Sequence, residues 1–139
     1  MLFRPSTGAV VKVIEGPFMS QHDVDIETDS TLIFFNNGGQ TLKGDRPDKW
    51  RLSDPLIQVA PQYSGILRYH MGTGDFESIA PEIFAQNEIF SFTESLVDEI
   101  PGGGYFIEEQ NSSVLWVIKD SEVQYKNILP SQHEGHHHL

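Results

Sequence analysis

Glu88-Ile89-Phe90-Ser91-Phe92-Thr93-Glu94-Ser95-Leu96-Val97-Asp98-Glu99-Ile100 is the stretch on which the fold class turns. At about 100° per residue, Ile89, Phe90, Phe92, Leu96, Val97 and Ile100 fall within an arc of roughly 160°. Ser91, Glu94, Ser95, Asp98 and Glu99 take the rest of the circle. That spacing predicts an amphipathic helix over 88–100, capped by Asn87 and stopped by Pro101-Gly102-Gly103-Gly104. A strand reading competes with it, because Phe90 and Phe92 alternate with polar neighbours. The helix makes the chain α+β; the strand makes it an all-β sandwich or barrel. The helix is the reading taken forward. Residues 80–86, with Pro81 in the first turn, are expected to form a short helical turn ahead of it.

Outward from this stretch the chain is β-patterned. Apolar alternation and β-branched content place strands near 9–14, 22–28, 31–35, 56–60, 66–70, 105–108, 114–119 and 122–126. Gly16-Pro17 separates the first two, and Asn36-Asn37-Gly38-Gly39 is a turn signal after the third. Short polar connections make the last three strands a meander. Leu115, Val117, Val123 and Tyr125 are expected to face inward or pair across strands, with Trp116, Ile118 and Gln124 on the other face. The expected architecture is β-rich α+β: seven or eight mostly antiparallel strands with one helix packed on the sheet.

The 139 residues suit a single domain, taken as 1–130. Nine Phe, four Tyr and two Trp supply bulk for one core, which argues against a disordered chain. Twenty acidic residues against nine basic ones give a net charge of -11. That balance opposes a nucleic-acid surface, which needs clustered Lys and Arg, and docking on an anionic membrane. A basic protein surface is the partner it favours. Cysteine is absent, so disulfides, thiolate metal sites and cysteine nucleophiles are excluded. No apolar run approaches the roughly 20 residues of a membrane span, and the N-terminus lacks a signal-peptide stretch. The chain is read as soluble and cytoplasmic. Residues 131–139, ending in His136-His137-His138-Leu139, read as an expression-tag remnant.

Asp23, Asp25, Glu27 and Asp29 occupy alternate positions, with Val24 and Ile26 between them. In a strand the four carboxylates would line one face while Val24 and Ile26 enter the core. They are the candidate partner-binding rail; the plain alternative is a charged edge strand that resists aggregation. The spacing matches the start of a calcium loop only in part. Ser30 stands where the turn glycine belongs and Asn36 where the bidentate glutamate belongs, so no metal site is assigned.

His70-Met71-Gly72-Thr73-Gly74-Asp75 holds the alternative catalytic set, His70 with Asp75 and Glu77 as acid and base. Its plain reading is a turn beside a half-buried histidine, and no nucleotide-binding fingerprint follows the glycines. Trp50, with Arg46 and Arg51, is an alternative ligand-binding loop in which cations and an aromatic interleave. Asp45 and Asp48 nearly cancel its charge. His22 reads as solvated.

The expectation is a non-enzymatic acidic binding protein that engages a basic protein partner, of an inhibitor or immunity type or as an assembly component. No cofactor is assigned. The alternatives are a small enzyme or ligand-binding domain around His70, and a self-assembling subunit that forms homo-oligomers.

Overall fold

The structure is a computed structural model that describes residues 1–38, 41–42, 56–57 and 63–130. Its strands in chain order are β1 (Leu2–Arg4), β2 (Ala9–Lys12), β3 (Gln21–Thr28), β4 (Thr31–Asn36), β5 (Thr41–Leu42), β6 (Leu56–Ile57), β7 (Gly65–His70) and β8 (Phe76–Ile79). The helix α1 (Pro81–Gln86) follows, and then β9 (Leu96–Glu99), β10 (Tyr105–Glu109), β11 (Val114–Lys119) and β12 (Glu122–Ile128). Two four-stranded antiparallel sheets carry the fold, in the orders β3-β4-β7-β8 and β12-β11-β10-β9. Two-stranded ribbons, β1-β2 and β5-β6, accompany them. Among the described residues neither large sheet closes on itself, and β3, β8, β9 and β12 are the edge strands.

β4 reads Thr-Leu-Ile-Phe-Phe-Asn, and its first five residues are all buried. Such an unbroken apolar run needs cover on both faces of its sheet. Ile33 and Phe35 join Ile66, Val97, Ile107, Trp116 and Ile118 in the core between the sheets, with Ile83 and Phe84 of α1. Leu32 and Phe34 face the other way with Leu67 and Tyr69, under Leu2, Ile14, Phe18 and Phe76. Phe18 meets Phe34 edge-on, with ring centroids 5.5 Å apart. Phe35 is completely buried, which stabilises the fold by about 2–3 kcal/mol.

The β-rich expectation holds; the long helix does not. Within 88–100 only Leu96–Glu99 is regular, and it is the edge strand β9, paired with β10 from Glu99↔Tyr105 to Leu96↔Glu108. Ser91, Thr93 and Ser95 explain the failure, since short hydroxyl side chains compete for backbone groups and pull the chain out of a helix. The Ser91 amide donates to Ser64 Oγ at 2.8 Å, and Ser91 Oγ lies 2.9 Å from its acceptor, the Thr93 carbonyl. Glu88 and Glu94 have left-handed φ of 52° and 57°. No right-handed helix accommodates that sign. Asn87 ends α1 rather than opening a second helix: its amide and its Nδ2 donate to the Ile83 carbonyl at 3.1 and 2.9 Å. The short turn expected at 80–86 is α1, with Pro81 at its start.

The described strands exceed seven or eight, because β1, β5, β8 and β9 are too short to show a period. The C-terminal meander is present and extends back to β9. Its facing is reversed: Trp116 and Ile118 are buried in the core, whereas Tyr125 is exposed and Leu115 and Val117 are half-buried on the outer face. Every residue from Val114 to Ile118 is apolar, so polarity alone does not set the phase. A bulge between Val117 and Ile118 lets Val123 pack inward while Tyr125 turns out.

Candidate functional site

The seam where the two sheets meet carries charged side chains with two contrasting fates. At one end Arg68 projects from β7, between the apolar Leu67 and Tyr69, toward the second sheet. Its Nε and Nη2 donate to Glu27 Oε2 and Oε1 at 2.6 and 2.5 Å, a bidentate grip. Nη1 donates to Glu77 Oε2 at 2.9 Å, and Nη2 donates to Tyr105 Oη at 3.0 Å. Arg68 thus ties β3, β8 and β10 together. Its hydrogen bonds hold the Glu27 and Glu77 carboxyls below their usual range and push the guanidinium further up. Burial pushes the Tyr105 phenol up.

At the other end Asp23 sits where β3 approaches β9. It is a bulge residue with φ 54°, and its Oδ2 accepts the Val97 amide at 2.6 Å. That side chain satisfies a donor on the free edge of β9 where no neighbouring strand does so. Burial raises the Asp23 carboxyl above its usual range despite the Val97 amide, and repulsion from Asp25, Asp98 and Glu108 adds to the rise. Among the described residues, the charged neighbours acting on it are acids.

The four carboxylates of β3 therefore do not form one rail. Bulges at Asp23 and Glu27 rotate those two inward, to Val97 and Arg68. The Glu27 side chain is only 7% exposed. Asp25 stays exposed on the strand and Asp29 lies in the turn after it. Val24 and Ile26, expected in the core, are 58% and 78% exposed. They share a face with Phe34 and Leu32, their register partners, but at the sheet's edge nothing covers them fully.

His70 and Glu77 do come together, with Nε2 3.4 Å from Oε2. Asp75 is tied to His70 through the backbone, its side chain exposed: the His70 amide donates to the Asp75 carbonyl at 3.0 Å. Glu77 also borders a cleft of about 330 Å³ between β8 and the β10–β11 end, lined by Ser78, Tyr105, Lys119 and Asp120. Gly104 keeps this cleft's floor close, since a Cβ there would come within 2.6 Å of the Ile118 carbonyl. His70 does not line it. Glu77 is already held by Arg68, which makes it a poor proton acceptor.

A further carboxylate, Glu109, is buried at 5% exposure. Trp116 Nε1 donates to its Oε2 at 2.9 Å. Lys126 Nζ lies 4.2 Å from the centre of the Trp116 ring, a cation–π contact. Burial pushes the Glu109 carboxyl up, opposed by bonds from Ser112, Trp116 and the Phe90 amide.

Trp50, Arg46 and Arg51 lie outside the described residues, as does the tail 131–139. His22 is exposed. Among the described residues, no group of three or more His, Asp or Glu is placed to hold a metal ion, and no helix is long and apolar enough to cross a membrane. Sequence reading missed Arg68, Asp98 and Glu108. A lone cation inside the apolar run Ile66-Leu67-Arg68-Tyr69 was the signal for the first; the other two become neighbours of Asp23 only through tertiary contact. No protein-family model, curated protein or solved structure matches this chain.

Proposed function

We propose that this protein is a non-enzymatic binding protein whose acidic surface engages a basic protein partner, as an inhibitor, an immunity-type protein or an assembly component does. One observation carries the reading: Asp23 Oδ2 accepts the Val97 amide on β9, beside Asp98 and near Glu108, the register partner of Leu96, and among the described residues the charges acting on Asp23 are the acids Asp25, Asp98 and Glu108. Such a cluster costs the folded chain self-repulsion. A cationic partner relieves that cost, speeds encounter and selects against acidic competitors. Arg68 serves as the internal contrast, since it already neutralises Glu27 and Glu77. Asp25 and Asp29 remain the accessible members of the original set.

A small-ligand or catalytic site draws on one observation, the proximity of His70 and Glu77 beside the 330 Å³ cleft. The commitment of Glu77 to Arg68 places it second. Capture on tag-free protein at low and high ionic strength, followed by titration of the captured protein, tests the first reading. A stoichiometric complex with a basic protein that weakens as salt rises supports it. Binding indifferent to salt, or unchanged when Asp25→Lys and Asp98→Lys are combined, overturns it. Sedimentation across ionic strength separates self-assembly from both.

A further inference from the structure

We infer that the open edge of β3 receives an extended partner segment in which basic and apolar residues alternate, adding a strand to the first sheet. This rests on the acidic-binding reading above and gives it a geometry. β3 ends the order β3-β4-β7-β8, so alternate residues direct their N–H and C=O groups away from β4, and no strand among the described residues receives them. Bulges at Asp23 and Glu27 flank a regular stretch, 24–26, that an added strand can follow.

The two faces of that edge differ in chemistry. Val24 and Ile26 pair with Phe34 and Leu32 and lie on the face covered by the N-terminal ribbon. Beside Val24, an apolar groove of about 190 Å³ is bounded by Met1, Leu2 and Ile14. Asp25 pairs with Ile33 on the opposite face, and Asp23 nearby is bonded to the Val97 amide next to Asp98. Side chains of an added strand alternate between these faces. Apolar residues would therefore meet Val24, Ile26 and the groove, while Lys or Arg at the intervening positions meet the carboxylates. The bulges and inward carboxylates of β3 guard the edge against indiscriminate pairing, yet Ile26 remains among the most exposed apolar side chains described. A second copy fits poorly, because antiparallel pairing of β3 with itself about its centre sets Asp25 against Asp25 and Asp23 against Glu27.

The test uses a fluorescent Lys-Val-Lys-Val-Lys-Val-Lys peptide, read by anisotropy at low ionic strength against the full chain. Its controls are a block peptide of the same composition and the alternating peptide with N-methylated backbone amides. The alternating peptide should bind about tenfold more tightly than the block peptide, and N-methylation, Ile26→Asp or Asp25→Lys should each remove that advantage. Ile26 and Asp25 are exposed, so thermal melts should show both variants folded. If both peptides bind equally and Ile26→Asp changes nothing, strand addition falls while the acidic-binding reading stands. If no cationic peptide binds, both fall. Self-association abolished by Ile26→Asp would assign the edge to a second copy and overturn the inference.

Discussion

The two ends of the seam between the sheets treat their carboxylates oppositely. Around Arg68 both acids, Glu27 and Glu77, have a cationic partner, and the network joins three strands. Around Asp23 the described charges are acids that repel it, and the stabilising contact is the Val97 amide. Charge near Arg68 is internal mortar, whereas the described charges that act on Asp23 repel it.

Breaking the neutralised end should have the largest effect. Arg68→Met leaves the almost covered Glu27 without its cation, at a cost of about 3 kcal/mol, the low end for stranding one member of a buried pair. Urea denaturation would show it as a lower midpoint at unchanged slope. The pH dependence has a definite sign here. Glu27 is held below its usual range, so its contribution is fully present above the ordinary carboxylate value and is lost as pH falls through the depressed one. Arg68→Met should flatten that acid limb.

At the Asp23 end, two substitutions separate hydrogen bond from charge. The backbone there has φ 54°. Asp23→Ala removes the acceptor for Val97 and installs a residue less tolerant of positive φ, costing about 1–2 kcal/mol. Asp23→Asn keeps an acceptor and the backbone tolerance while deleting a charge. Its stability should lie within about 0.5 kcal/mol of the native chain, with a weaker dependence on salt. Equal losses in both variants, measured by thermal melts at two ionic strengths, would erase the contrast drawn between the ends.

Glu109 belongs to neither end and shows burial outweighing the attraction of a nearby cation, Lys126. Its carboxyl is raised, so stability is greatest below the ordinary carboxylate value and declines as pH climbs through the raised one. Glu109→Gln should lose about 1 kcal/mol at low pH, because its amide confronts the Phe90 and Ser112 donors, but should lack that decline. Denaturation at several pH values between the carboxylate range and neutrality would show the two curves converging. The smallest effect belongs to Glu77→Gln. Its pairing with Arg68 is half exposed, so a change within about 0.5 kcal/mol is expected.

How far the sequence told this in advance depends on which signal each element carries. β11 and β4 were legible because a continuous apolar run between turn residues has few other interpretations. β9 was not: four residues cannot display a period of their own, and the apolar spacing of 89–100 mimicked a helix until the local bonds of Ser91 and Thr93 were in view. In β3 the alternation was real but two bulges shifted its phase, so residues meant for the core came out and two carboxylates went in. The pairing of His70 with Glu77 needs the strand β8 as well as the turn that the glycines suggested. The gathering of Asp98 and Glu108 around Asp23 joins distant parts of the chain and leaves no local trace.

Trp116 has a practical use. Its indole is covered, donates to an ionisable acid at one end and has an ammonium group over its ring. With two tryptophans in the chain, Trp50→Phe would leave a single emitter whose colour and quenching track the protonation of Glu109. The interior thus carries its own optical gauge, through which loosening between the layers could be followed without adding a dye.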